Sequence, residues 1–169
     1  KENLHSGDGF VPPANFAGGM VDGALVAGYY HQEFAHWLDH ENQRPWIGIG
    51  ETARYYTKND SRQGIYQVVQ HLVALGHQRI AFLHGDVSFN SNEEGLIGFE
   101  QACKDFRVDI QPSWVQFIQV LPRREGVEKT AAWARKFLTQ PTRPTAVICQ
   151  GMGIARAVVS VAQQLQLQV

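Results

Sequence analysis

His36 and His40 stand one helical turn apart in HQEFAHWLDH, with Glu33 beside them, and such a pair can hold a metal ion. They fall opposite the stripe made by Tyr30, Phe34, Trp37 and Leu38, and no HExxH accompanies them. The spacing therefore predicts a solvated helix face and no metal site. Gly48-Ile49-Gly50-Glu51-Thr52-Ala53 has the GxGxxA form of a dinucleotide fingerprint. That chemistry needs a helix opening at the last position and an acidic residue about 20 residues on. The acidic residue past the next predicted strand, Asp86, lies too far along, so a glycine-rich strand end is expected here. Nucleophilic chemistry has less support still. There is no GxSxG, Cys103 and Cys149 form no CxxC pair, and Cys103 falls on an apolar helical stripe where core packing is the expectation. Glu93-Glu94 reads as the first turn of a helix capped by Ser91 or Asn92, and Arg123-Arg124 as solvated. No catalytic residue, no cofactor and no metal is expected.

The elements that would position these groups alternate along the chain. Residues 1–20 are irregular, with glycines and Pro12-Pro13. VDGALVAG (21–28) suits a buried strand, residues 30–41 a one-stripe helix, and PWIGIG (45–50) another strand. After the polar stretch 51–60 the pattern resumes. Ile65, Val68, Val69, Leu72 and Leu75 stripe a helix ended by Gly76, and RIAFLH (79–84) is a strand. Leu96, Phe99, Cys103 and Phe106 stripe the next helix, followed by WVQFIQ (114–119) as strand. Val127 to Leu138 is a helix, TAVICQ (145–150) a strand, and Ile154 to Leu165 the last helix. Strands alternating with helices imply crossover connections and parallel sheets, so the chain is an α/β protein.

Composition bounds the function. Of the 169 residues 44% are hydrophobic and 18% charged, which excludes a disordered chain. Fifteen Lys+Arg against sixteen Asp+Glu give a net charge of −1, so the segment lacks the basic excess that a nucleic-acid surface needs. No apolar run approaches the roughly 20 residues of a membrane span, and KENLHSGDGF does not read as a signal peptide. A cytoplasmic protein with no membrane partner is the expectation.

Residues 60–85 carry a more specific pattern. Asp60-Ser61-Arg62-Gln63-Gly64, followed by His71-Leu72-Val73-Ala74-Leu75-Gly76-His77-Gln78-Arg79-Ile80-Ala81-Phe82-Leu83, resembles the effector-binding core of the LacI/GalR transcription regulators. Leu96-Ile97-Gly98-Phe99, Arg143-Pro144-Thr145-Ala146-Val147-Ile148 and Val21-Asp22-Gly23 are similar to further motifs of that family, in order, over residues 20–169. The resemblance implies a two-lobed fold like that of the type I periplasmic binding proteins, with parallel sheets flanked by helices and a small-molecule cleft between the lobes. It divides the chain into an irregular segment 1–20, a first lobe 21–56 that is incomplete, and a second lobe 57–169. Nothing in the sequence resembles the family's DNA-binding headpiece. The family's ligand-holding arginine falls on Gly95, and its Asn-Asp pair falls on Gly151-Met152.

The function expected on these grounds is small-molecule sensing by a LacI-type regulator or a related bacterial signalling protein. The partners would be a neutral effector (a sugar, a nucleobase or another metabolite), a second copy in a homodimer, and DNA only through a segment outside this chain. Ligands of open parallel sheets sit beyond the carboxyl ends of the strands. The candidate contacts are therefore Tyr29, Tyr30, Asn59 and Asp60 from the first half, with Ser88, Phe89, Asn90, Gln150, Gly151 and Met152 from the second. Asp60 is also placed to be a helix N-cap. Two alternatives remain: a dimerisation module that has lost its ligand, and a nucleotide-dependent enzyme using Gly48 to Ala53.

Overall fold

Short apolar runs become strands, and the striped segments between them become helices. The computed structural model of the chain describes residue 14 and residues 21–28, 32–42, 44–50, 53–87, 89–118 and 124–168. They fall into two units, residues 1–59 and 60–169.

In the first unit, β1 (Ala24–Ala27) leads to α1 (Gln32–His40), then β2 (Trp46–Ile49) and β3 (Tyr56–Thr57). The three strands form one parallel sheet in the order β1-β2-β3, with Leu25 opposite Ile47 and Ile49 opposite Thr57. Strand residues alternate between faces. Ala24, Val26 and Trp46 pack with Phe34, Trp37 and Leu38 of α1, as the helical stripe required. Leu25, Ile47 and Ile49 on the other face are exposed. The third strand was not anticipated. It is two residues long and exposed, so it lacks the apolar run by which a strand is read.

The second unit runs α2 (Ser61–Ala74), β4 (Ile80–His84), α3 (Asn90–Asp105), a 3₁₀ turn (Pro112–Trp114), β5 (Val115–Phe117), α4 (Arg124–Leu138), β6 (Ala146–Cys149) and α5 (Met152–Gln164). Its sheet is parallel throughout, in the order β5-β4-β6. β4 lies in the middle and is buried along its whole length. Ile80 and Phe82 pack with Val69, Phe99, Ala102 and Cys103 of α2 and α3. Ala81 and Leu83 face Ala134, Phe137, Ile154, Val158 and Val161 of α4 and α5. Covered on both sides, β4 reads as a continuous apolar run rather than an alternating one. Each large side chain so buried contributes about 1.5–3 kcal/mol. The expected strand 114–119 is shorter than the reading, because Trp114 belongs to the preceding 3₁₀ turn.

Three helices of this unit end in the same way. After α2, Gly76 has φ +89°, its N–H donates to the Val73 carbonyl (2.9 Å) and the His77 N–H donates to the Leu72 carbonyl (3.0 Å). This is a Schellman closure, and it needs a left-handed residue. α3 closes identically on Arg107 (φ 57°) and α5 on Gln166 (φ 56°). A side chain in that region is strained where glycine is not. Arg107→Gly and Gln166→Gly should therefore each stabilise the fold by about 0.5–1 kcal/mol in urea unfolding, and Gly76→Ala should destabilise it by a similar amount.

Candidate functional site

The C-terminal edge of the second sheet is where its strands give way to loops and where α3 and α5 begin. His84 pairs with Phe117 across β4 and β5. Leu83 pairs with Cys149 across β4 and β6, and the Gln150 N–H extends the ladder to the Leu83 carbonyl at 2.8 Å. Register neighbours in a parallel sheet share a face, so Phe117, His84 and Gln150 form one row across the three strand ends. That face is the one α3 covers: the Gln150 Nε2 donates to the Ser91 carbonyl at 2.6 Å.

Each member of the row is held differently. His84 is buried, with its ring 5.7 Å from Phe82 and 6.1 Å from Phe117. Its Nδ1 lies 2.9 Å from the Gly85 carbonyl. A carbonyl only accepts, so the ring donates from Nδ1. Phe117 is half exposed. Gln150 lies against Gly95, where a Cβ would come within 2.2 Å of its Nε2. The helix position that bears no side chain is thus filled by a side chain from another strand end. The Gln150 Oε1 is buried and has no hydrogen-bond partner.

The loop between β4 and α3 is fixed by a second carboxamide. Asn92 is buried, and its Nδ2 donates to the Asp86 carbonyl at 2.9 Å. Gly85 makes room for it, since a Cβ there would meet Nδ2 at 2.6 Å. This corrects the expected cap. Neither Ser91 nor Asn92 caps α3; Phe89 occupies the N-cap position without a side-chain bond. Asn92 lies inside the first turn and serves the loop instead.

Of the expected contacts, Phe89 and Asn90 stand at the start of α3 and are half buried. Gln150, Gly151 and Met152 follow β6 on the same edge. The Gly151 carbonyl accepts from the Ala155 N–H (3.0 Å), and Met152 is exposed. Asp60 caps α2, its Oδ1 accepting from the Gln63 N–H at 2.9 Å. Asn59 beside it is exposed. Tyr29, Tyr30 and Ser88 lie outside the described residues. His84 and Phe117 were not among the candidate contacts: His84 reads in the sequence as the last residue of the strand 79–84 and Phe117 as the interior of 114–119, and only the register makes them neighbours.

The other candidates resolve into structure. His36 and His40 are exposed on α1 with ring centroids 4.4 Å apart. Among the described residues no three His, Cys, Asp or Glu side chains gather to hold a metal. The GxGxxA stretch is followed by β3, not by the helix that a dinucleotide site requires. Cys103 is buried in the core, where burial first and Glu100 second push its thiol up to about 11. Burial also pushes the Cys149 thiol up to about 11. Only the thiolate attacks. At pH 8 roughly 0.1% of such a thiol is ionised, against about a quarter for an ordinary cysteine. Ellman's reagent should therefore modify the folded chain at least ~100-fold more slowly than the urea-unfolded chain, with the rate rising until pH 11. The same shift favours the unfolded chain as pH climbs from the ordinary thiol range towards 11, so stability should fall across that window.

The family described as "Periplasmic binding protein-like domain" matches residues 69–169, well over half of the chain. The chain belongs to this family. The periplasmic binding protein-like domain explains the parallel sheet of the second unit and its helices on both faces. Over 155 residues the chain is 26% identical to the HTH-type transcriptional repressor PurR of Shigella sonnei (strain Ss046) and 27% to that of Klebsiella pneumoniae (strain 342). Each comparison covers 88% of this chain and 44% of the relative, so the chain spans less than half the length of these relatives. Among solved structures, a regulatory protein of the LacI family from Chloroflexus aggregans superposes with a TM-score of 0.75 at 19% identity, covering 90% of this chain and 55% of that one. The transcription regulator CcpA of Lactococcus lactis gives 0.76 at 18%, covering 92% and 56%. These likenesses show the fold, and the LacI/GalR resemblance of residues 60–85 is borne out. Among the described residues no helix is long and apolar enough to cross a membrane.

Proposed function

We propose that this chain is the effector-binding part of a LacI-type transcription regulator, taking up a neutral small molecule at the carboxyl ends of its strands, between the two lobes. The reading rests on one observation. In a domain of this family, the end of β6 and the start of α3 are tied together at the open edge of a parallel sheet through Gln150 and Ser91. Phe89, Asn90, Gln150, Gly151 and Met152 would contact the effector there, joined by Ser88 and, from the first half, Tyr29, Tyr30, Asn59 and Asp60. The role is non-catalytic. Binding transmits a signal only if the ligand favours one arrangement of the lobes over the other. A homodimer, a cytoplasmic setting and DNA contact through a segment outside this sequence complete the proposal, by likeness to the repressors named above.

Native mass spectra of the purified chain, alone and with a pool of neutral sugars and nucleobases, test it. A discrete adduct that competes away is the expected result. A second reading, a module that has lost its ligand, draws on the absence of a polar side chain at Gly95 and Gly151. Spectra that no compound in the pool changes would establish that reading and remove the first.

A further inference from the structure

The resemblance does not identify the effector proposed above, because the positions it implies for ligand-holding groups carry Gly95 and Gly151-Met152 here. The row Phe117, His84 and Gln150 supplies a different surface on the same edge, and the inference that follows rests on the effector-binding reading. Phe117 offers a half-exposed ring, backed by the His84 ring at 6.1 Å. Val87, just beyond β4, and Met152, just beyond β6, are exposed and apolar. Gln150 reaches over Gly95 and carries an acceptor, Oε1, that nothing satisfies. A sugar needs several hydrogen-bonding groups aimed at its hydroxyls. A flat ring needs a face to stack on and few polar contacts. An unpaired buried acceptor favours any partner that brings a donor to it. Turning the carboxamide away from Gly95 gives up the Nε2 bond to the Ser91 carbonyl and offers Oε1 to such a donor, and Glu93 in the first turn of α3 disfavours an anion nearby.

We infer that Gln150, with Phe117, is the specificity-determining pair of the second unit. It selects a flat, uncharged ring bearing an N–H donor, which stacks on Phe117 and donates to the Gln150 Oε1.

Indole, 1-methylindole and D-ribose are probes that separate these features, titrated into the whole isotope-labelled chain and followed by NMR. The Gln150 side-chain amide is assigned by its loss in Gln150→Leu. Indole should shift that amide and the His84 signals. 1-Methylindole, which has no N–H, should bind about tenfold more weakly, the size of one hydrogen bond. D-ribose should leave the signals in place. Gln150→Leu should bring indole down to the affinity of 1-methylindole. Phe117→Ala, at an exposed position that does not threaten the fold, should weaken both ring compounds about tenfold. Equal binding of indole by the parent and Gln150→Leu would overturn the assignment, as would shifts with ribose and none with indole. If a neutral adduct forms in the mass spectra while these signals stay silent to indole, this assignment falls and the effector-binding reading stands. If neither adduct nor shift is seen, both fall together.

Discussion

Replacing Phe82 with alanine should cost the second unit about 3–5 kcal/mol, the range of a fully buried aromatic. Phe82 is fully buried at the centre of β4, stacked on Phe99 at 4.8 Å between ring centroids. Val69, Cys103 and Ile148 close around it. The sheet on one side and the α2–α3 pair on the other leave little freedom to collapse into the space, so most of the cavity persists. Urea unfolding followed by circular dichroism reads the loss as a lower midpoint at unchanged slope. A cost below about 1 kcal/mol would show that α2 and α3 can settle onto the sheet, and that the packing described for this face is wrong.

Gly98→Ala is the second. In an open helix interior alanine is better than glycine by about 1 kcal/mol. Here a Cβ would come 2.2 Å from the Arg62 carbonyl oxygen and 3.0 Å from the Arg62 Cα and carbonyl carbon, all backbone at the start of α2. The two helices must separate, and a net loss of about 1–3 kcal/mol is expected. Gly64→Ala in α2, with nothing within 4 Å of its added Cβ, is the control and should gain stability. The sign difference between two identical substitutions isolates the helix contact from helix propensity. A gain at both positions would rule out the close approach of α2 and α3.

Residues 60–106 show what a sequence yields and what it withholds. The stripe Ile65, Val69, Leu72 and the closing Gly76 announce α2 because helical period and cap are both local properties. Asp60 as N-cap was legible for the same reason. β4 was legible too, as an apolar run that only a covered parallel strand tolerates. Asn92 misled, since its side chain suits a cap and the structure spends it on the Asp86 carbonyl. The row at the sheet edge was illegible as a row. Phe117, His84 and Gln150 lie in three separate segments, and which of them stand side by side depends on strand register, which no local pattern encodes. Gly95 is the clearest case. By resemblance it marks a missing ligand group, whereas in space it is the gap that admits Gln150, 55 residues further along.

The central place of β4 has a bearing on how the protein is made. Both strands that flank it are synthesised after it: Phe82 waits for Val115, 33 residues on, and Ile80 for Ala146, 66 residues on. At a ribosomal pace of roughly 5–20 residues per second, β4 spends about 3–13 s without its second neighbour. The side of Ile80 and Phe82 can be covered early, because α2 and α3 lie next to β4 in the chain. The side of Ala81 and Leu83 cannot, because α4 and α5 come later. During synthesis that one face, apolar and with open edges, is the surface on which a nascent chain would either meet a chaperone or aggregate.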